Sequence, residues 1–255
     1  MEDTDAASPV VVERRGPVAL VTLNRPAARN AINLALAIGF AEAIAGAQDA
    51  RCIVVTGADP AFCAGIDLRN LGTDRLMDIP AYNEVLARSR VPAIAAVNGA
   101  AVTGGLELAL GCDFIVASER AVFADTHVRV GVFPGPVMVD LPRRIGMARA
   151  REMSMTGNFV DAETAAAIGL ANHVVAHDEL LPFTLQLAAA IADADPEMVS
   201  GMRECWDLTG EQPVREAYAA LRQFRSAGGY NSPTGSDVAS RREAVLARSR
   251  EQRGS

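Results

Sequence analysis

Two adjacent glycines, followed at once by an apolar segment with a single carboxylate, are the residues of this chain best suited to chemistry. They lie in the stretch Val97-Asn98-Gly99-Ala100-Ala101-Val102-Thr103-Gly104-Gly105-Leu106-Glu107-Leu108-Ala109-Leu110-Gly111-Cys112-Asp113. An apolar run, Ala93 to Val97, reads as a strand that enters a small-residue turn. A helix-like segment follows, with Glu107 in its first turn. Paired glycines leave backbone N–H groups uncovered by side chains, and the dipole of a following helix favours negative charge there. An anion-stabilising donor beside a possible general base is the minimum equipment for chemistry through an enolate. The same residues also fit a plain helix start, with Gly104 as N-cap and Glu107 complementing the dipole. Gly99 and Gly104 have Walker spacing, but Gly105-Leu106 stands where Lys-Ser/Thr is required, so a phosphate loop is excluded. No G-x-G-x-x-G follows the strand, which argues against a dinucleotide site.

The elements that must position these residues follow from the pattern around them. In a chain of 255 residues, 50% apolar and only 5% aromatic, abundant alanine and glycine suit close helix packing in an α/β protein. Strands are predicted at Val10 to Glu13, Val18 to Leu23, Cys52 to Thr56, Ala93 to Val97, Asp113 to Ala117 and Ala121 to Phe123. Asn30 can cap a helix from Ile32 to Gln48, and Ala81 to Ser89 reads as helical. Leu71 to Pro80 is polar and irregular. This alternation indicates βα-type units rather than a helical bundle. After Pro136 helices dominate, at Val137 to Ile145, Met147 to Met155, Asp161 to Ile168, Asp178 to Ala192, Pro196 to Asp207 and Pro213 to Ser226. A final helix, capped by Ser236 or Asp237, carries Arg241, Arg242, Arg248 and Arg250. Residues 1–200 are therefore expected to form the core and residues 201–255 a helical appendix.

A formal charge of −7 excludes a general nucleic-acid binder, and no apolar run approaches the ~18–20 residues that span a bilayer. Met1 to Ser8 is acidic and polar, unlike a secretory leader. Cys52, Cys63, Cys112 and Cys205 are scattered without C-x-x-C spacing. The expectation is a cytoplasmic protein without a metal site.

Several blocks now agree in order and spacing: Leu23-Asn24-Arg25-Pro26 with Asn30-Ala31, Phe62 through Leu68, Pro92 through Gly99, Gly104 through Ala109, Cys112-Asp113, and Phe123 through Pro134-Gly135. In these blocks the chain resembles the crotonase (enoyl-CoA hydratase/isomerase) superfamily over nearly its whole length. The resemblance implies a spiral of ββα units with a C-terminal helical trimerisation region, assembled as a homotrimer or as a hexamer of two trimers. It implies an acyl-CoA thioester substrate and no separate cofactor. The family's two oxyanion-hole N–H groups fall, by motif match, on Ile66 and Gly104. The segment Ala64, Ile66, Asp67, Leu68 and Arg69 matches the CoA cradle, with Arg25, Arg29 and Arg69 as phosphate partners or, equally, solvated arginines.

By the same resemblance Glu107 matches the first of two hydratase glutamates. His127 stands where the second should be, in Phe123-Ala124-Asp125-Thr126-His127-Val128. A histidine with a reference pKa near ~6.5 can partner Glu107, or it can be a neutral packing group. In an extended segment Asp125 would point to the opposite face from His127. His173 and His177 lie outside any motif and read as surface residues. Pro134-Gly135-Pro136-Val137-Met138 departs from the family pattern and, with Leu71 to Pro80, is expected to influence acyl preference. The leading expectation is syn hydration of a 2-enoyl-CoA. The rivals are an isomerase using Glu107 as single base, a hydrolase or decarboxylase of the same family, and a non-catalytic acyl-CoA-binding protein.

Overall fold

In the computed structural model of the chain, residues 8–67, 82, 84–210, 212–225 and 227 are described. Leu68, Arg69, the irregular Leu71 to Pro80 segment and the final arginine-bearing helix lie outside them.

The first sheet holds β1 (Val10–Arg15), β2 (Val18–Leu23), β3 (Cys52–Gly57), β5 (Ala93–Val97), β7 (Phe114–Ser118) and β10 (His173–Val175), adjacent in that order. Only the β1–β2 hairpin is antiparallel; the remaining pairs are parallel. The second sheet, in the order β4 (Ala61–Cys63), β6 (Ala100–Val102), β8 (Val122–Ala124) and β9 (Val160–Asp161), has its first three strands parallel. The chain steps from one sheet to the other three times, β3 to β4, β5 to β6 and β7 to β8. Each step is followed by a helix: α2 (Glu84–Ala87), α3 (Gly104–Leu110) and α4 (His127–Val130). That is the expected spiral of ββα turns.

The central strands β2, β3, β5 and β7 are buried on both faces, which is why they read as continuous apolar runs rather than alternating ones, whereas β1 beyond Val10 and most of β10 are exposed. Ile53, Val55, Ala95 and Val97 face the core shared with α1 (Leu34–Gly46), whereas Val18, Leu20, Val54, Ile94 and Val116 pack towards α8 (Leu180–Ala192). The remaining α-helices among the described residues are α5 (Val137–Ile145), α6 (Met147–Thr156), α7 (Ala162–Ala167), α9 (Pro196–Thr209) and α10 (Val214–Phe224). Contacts divide it into Met1–Pro196 and Glu197–Ser255. Among the described residues no helix is long and apolar enough to cross a membrane.

Three local expectations are corrected. The α1 cap is Asn33, whose side chain accepts from the Leu36 N–H at 2.9 Å. Asn30 instead donates to the Ala58 and Ala61 carbonyls and, at φ +55°, holds the turn before β4. Ile32, expected inside the helix, forms a bridge to Ile66. Finally, the small-residue turn before Gly104 contains β6, and the N-cap of α3 is Thr103, with Gly104 as the first helical residue.

Candidate active site

The bridge between Ile32 and Ile66 sets one backbone donor. In this parallel pairing the Ile32 N–H donates to the Gly65 carbonyl at 2.8 Å and the Asp67 N–H to the Ile32 carbonyl at 2.9 Å. The N–H of Ile66 itself therefore points away from Ile32. Gly65 then brings that donor against the start of α3. It lies at φ +88°, and a Cβ there would sit 2.0 Å from the Thr103 hydroxyl, so only glycine permits the approach. Thr103 precedes Gly104, whose N–H opens α3 and has no acceptor within the helix. Close contact between Gly65 and Thr103 sets the next residue of each segment, Ile66 and Gly104, on neighbouring stretches of chain. Gly105 seats the same helix, because a Cβ there would meet the Cys63 carbonyl at 2.0 Å.

Topology brings Glu107 and His127 together. Strands β6 and β8 run parallel in register from Ala100 opposite Val122 to Val102 opposite Ala124, and the Thr103 N–H donates to the Ala124 carbonyl at 2.9 Å. Helix α3, leaving β6, and helix α4, leaving β8, thus start side by side. Glu107 is 5% exposed and accepts from the Val137 N–H, at the start of α5, with its Oε1 at 3.3 Å. A Cβ at Gly135 would come within 3.3 Å of that oxygen. The departing Pro134-Gly135-Pro136 segment therefore lines the carboxylate directly.

The Asp125 expectation is overturned. Strand β8 ends at Ala124, Thr126 has φ −96° and ψ 11°, and His127 begins a helix, so strand alternation no longer applies. Asp125 Oδ1 lies 2.6 Å from His127 Nδ1 and 3.4 Å from the His127 N–H. Asp125 is fully buried and His127 is 9% exposed.

The charges are coupled. Burial pushes the Glu107 carboxyl up, as do the Asp125 and Asp140 charges, against the opposing Val137 N–H and His127. Burial alone would push the His127 imidazole down, but the Asp125 hydrogen bond, with the Asp125 and Glu107 charges, outweighs it and holds the ring above its usual value. Burial likewise works against the Asp125 carboxylate, yet the His127 hydrogen bond and charge keep it below the usual carboxylate range.

Ala64, whose N–H donates to the Arg29 carbonyl at 3.1 Å, and Ile66 are half-buried, and Arg29 is exposed beside them. Arg25 is not a solvated arginine. It is 4% exposed, its guanidinium donating to the Ala31 carbonyl at 2.5 Å and reaching buried Asp67 at 3.5 Å. Both side chains serve to pin the strand-like segment that carries Ile66.

Three site residues escaped the sequence reading: Asp125 as a histidine partner, the Val137 N–H, and Tyr82. Buried Tyr82 places its hydroxyl 2.5 Å from where a Gly104 Cβ would be, and burial together with the Glu107 charge pushes its ionisation far up. Nothing in the residues around Tyr82 signals this. For Asp125 the signal existed: Asp-x-His followed by a turn brings the two side chains together.

The enoyl-CoA hydratase/isomerase family pattern matches residues 13–227. The chain is 41% identical over 192 residues to the "Probable enoyl-CoA hydratase" of Rhizobium meliloti, covering 72% of this chain and 75% of that one. It is 35% identical over 222 residues to the carnitinyl-CoA dehydratase of Salmonella agona, covering 82% and 84%. Among solved structures, an enoyl-CoA hydratase from Mycobacterium smegmatis superposes with a TM-score of 0.82 at 28% identity, over 93% of this chain and 96% of that one. One from Mycobacterium avium gives 0.70 at 42% identity, over 86% and 98%. The chain belongs to the enoyl-CoA hydratase/isomerase family, the crotonase superfamily.

Proposed function

We propose that the protein hydrates a 2-enoyl-CoA thioester, or catalyses the reverse dehydration. The observation that carries this is the convergence of Glu107 and His127 at the adjacent ends of β6 and β8. Adding water across a double bond needs a group to take a proton from water and a group to protonate carbon. An isomerase needs only one base, so a second proton-carrying group beside Glu107 favours hydration.

In this reading the thioester oxygen accepts from the Ile66 and Gly104 N–H groups. Glu107 takes a proton from water as the water oxygen bonds to C3. The electrons of the C2–C3 double bond move onto the thioester oxygen, giving the enolate, and C2 then takes a proton from His127 Nε2. Return of the Glu107 proton to His127 restores the site, and one water has been added. A carboxyl whose pKa is raised by burial is a stronger base than an ordinary one. The Ala64–Asp67 backbone and exposed Arg29 fit the CoA end, with Leu68 and Arg69 continuing that segment.

Exposed Met202, Trp206, Leu208 and Tyr218 support a role for the C-terminal helices in trimer or hexamer contacts. Buried Cys52, Cys63 and Cys112, held as thiols and not as disulfides, support a reducing compartment such as the cytoplasm.

The test is a panel of 2-enoyl- and 3-enoyl-CoA thioesters of varied length, with products identified by mass. A 3-hydroxyacyl-CoA product with wild type, and a rate about 10³–10⁴-fold lower with Glu107→Gln, is expected. Conjugated product from 3-enoyl-CoA without hydration would make it an isomerase. An undiminished Glu107→Gln rate would remove Glu107 from the mechanism.

A further inference from the structure

Resting on that reading, we propose that Asp125 is a positioning residue that keeps His127 as an imidazolium with Nε2–H directed at the substrate. The site would thus pair a carboxylate base with a cationic acid, not with a second carboxyl group.

The proposal stands on where charge can be balanced. Asp125 is fully buried, and a buried carboxylate without a cation costs several kcal/mol. Among the described residues His127 is the one cationic partner within ion-pair distance of it. Asp125 Oδ2 is buried without a hydrogen-bond partner, and the Ser154 hydroxyl on α6 acts on the carboxyl without a well-formed bond to that oxygen. Arg129, on the same short helix as His127, lies over Gly157 at the end of α6 instead. The carboxylate can therefore be neutralised by one group, the ring 2.6 Å away.

That bond also sets the ring's geometry. Nδ1–H is committed to Asp125, and the His127 main chain is held too, its N–H donating to Asp125 Oδ1 at 3.4 Å and its carbonyl accepting from Gly131 and from Val132 at 3.1 Å. Nε2 is the nitrogen left to carry the transferable proton. The other charge acting on the ring is Glu107 on α3; Asp140 on α5 acts on Glu107, and is itself 4.0 Å from Arg143 and near Arg144. Two carboxylates around one imidazole favour the charged ring. In the reaction the Nε2–H bond breaks as the C2–H bond forms, leaving neutral His127 hydrogen-bonded to Asp125 until Glu107 returns the proton.

The chain has three histidines, so the imidazole resonances can be titrated individually in the full-length protein without substrate, His127 being assigned by its loss in His127→Gln. In wild type the His127 ring nitrogens are expected to report imidazolium at pH 7.5. In Asp125→Asn the His127 midpoint should fall by about one pH unit or more. The alkaline limb of kcat/KM for a short 2-enoyl-CoA should move down by the same amount, with KM little changed. A neutral His127 ring in wild type at pH 7.5 overturns the proposal whether or not the variant folds. So does a His127 midpoint unmoved by Asp125→Asn, or one that moves while the alkaline limb stays. Because the titration uses no substrate, it can succeed where hydration fails, which separates this proposal from the functional reading beneath it.

Discussion

Two Asp–His pairs among the described residues lie at the carboxyl ends of parallel strands, and their surroundings give them opposite roles. The first, Asp125–His127, follows β8 and is sealed beside Glu107. The second sits where the chain crosses between the sheets. His177 Nε2 lies 3.2 Å from Asp59 Oδ2, its Nδ1 lies 3.0 Å from the Ser118 hydroxyl, and Asn98 donates to Asp59 Oδ1 at 2.8 Å. Asp59 lies between β3 and β4, Asn98 between β5 and β6, and Ser118 ends β7, so this cluster ties the three crossovers together. A serine, a histidine and an aspartate within bonding distance invite a nucleophilic reading. Ser118, however, is fully buried and its hydroxyl also accepts from the Arg120 N–H, while the Asp59 side chain is 63% exposed. The difference teaches that the ring at the site is set by a buried carboxylate, whereas the ring at the crossovers is a strut. His177, expected at the surface, is half-buried for that reason.

The sharpest way to break this comparison is to make the same substitution twice. His127→Gln should lower hydration about 10²-fold, since Gln can still bond Asp125 but cannot give up a proton. His177→Gln should leave kcat and KM at wild-type values and cost about 1 kcal/mol of stability through lost hydrogen bonds. Steady-state rates and urea melts on the two variants decide it. Equal losses of rate would mean that the crossover cluster shapes the site and is not a separate strut.

Glu107 and Gly104 were legible because paired glycines, an acid and a helical period all point to one place. His127 was reached through the family resemblance, as the occupant of the position where a second glutamate is expected. Asp125 was misjudged because alternation was extended past Ala124, and where a three-residue strand stops is decided by pairing with β6 and β9, not by local propensity. Strand β6 itself was hidden: Ala-Ala-Val between glycines has the composition of a turn, and it becomes a strand by pairing with β4 and β8. Arg25 shows the same limit for charge, since an arginine carries no local mark that it will be buried on Asp67. The long elements, such as β2, β5 and α5, came out at their predicted bounds because burial on both sheet faces, or a cap with a clear stop, is written into their residues.

A second contrast lies in the pH dependence of stability. Asp125 is held below the ordinary carboxylate range, so its contribution is complete above the unfolded value of ~3.8 and is lost as pH falls through the lower folded value. His127 is held above its ordinary value, so its contribution is complete below ~6.5 and is lost as pH rises through the higher folded value. Urea melts across pH 3–9 should show both slopes in wild type, and both should flatten in Asp125→Asn, which removes a bond worth about 2 kcal/mol between charged groups. An unchanged alkaline slope in that variant would show that Asp125 does not hold the His127 charge.

The smallest effect belongs to Asp59. The Asn98 hydrogen bond comes first in holding its carboxyl low, and burial opposes; His177 and the Arg120 charge add the rest. The sign matches Asp125, present above ~3.8 and lost below, but the side chain is 63% exposed and solvent screens the charge. Asp59→Asn should therefore cost less than about 1 kcal/mol at pH 7, with the loss shrinking further in 0.5 M salt and no change in kcat. The Asn98 bond is to Oδ1, the oxygen that Asn can keep as an acceptor, so what the variant isolates is the charge facing His177. A loss as large as that of Asp125→Asn, or one indifferent to salt, would mean that the crossover pair is a buried ion pair in all but exposure, and the distinction between strut and site would then rest on Glu107 alone.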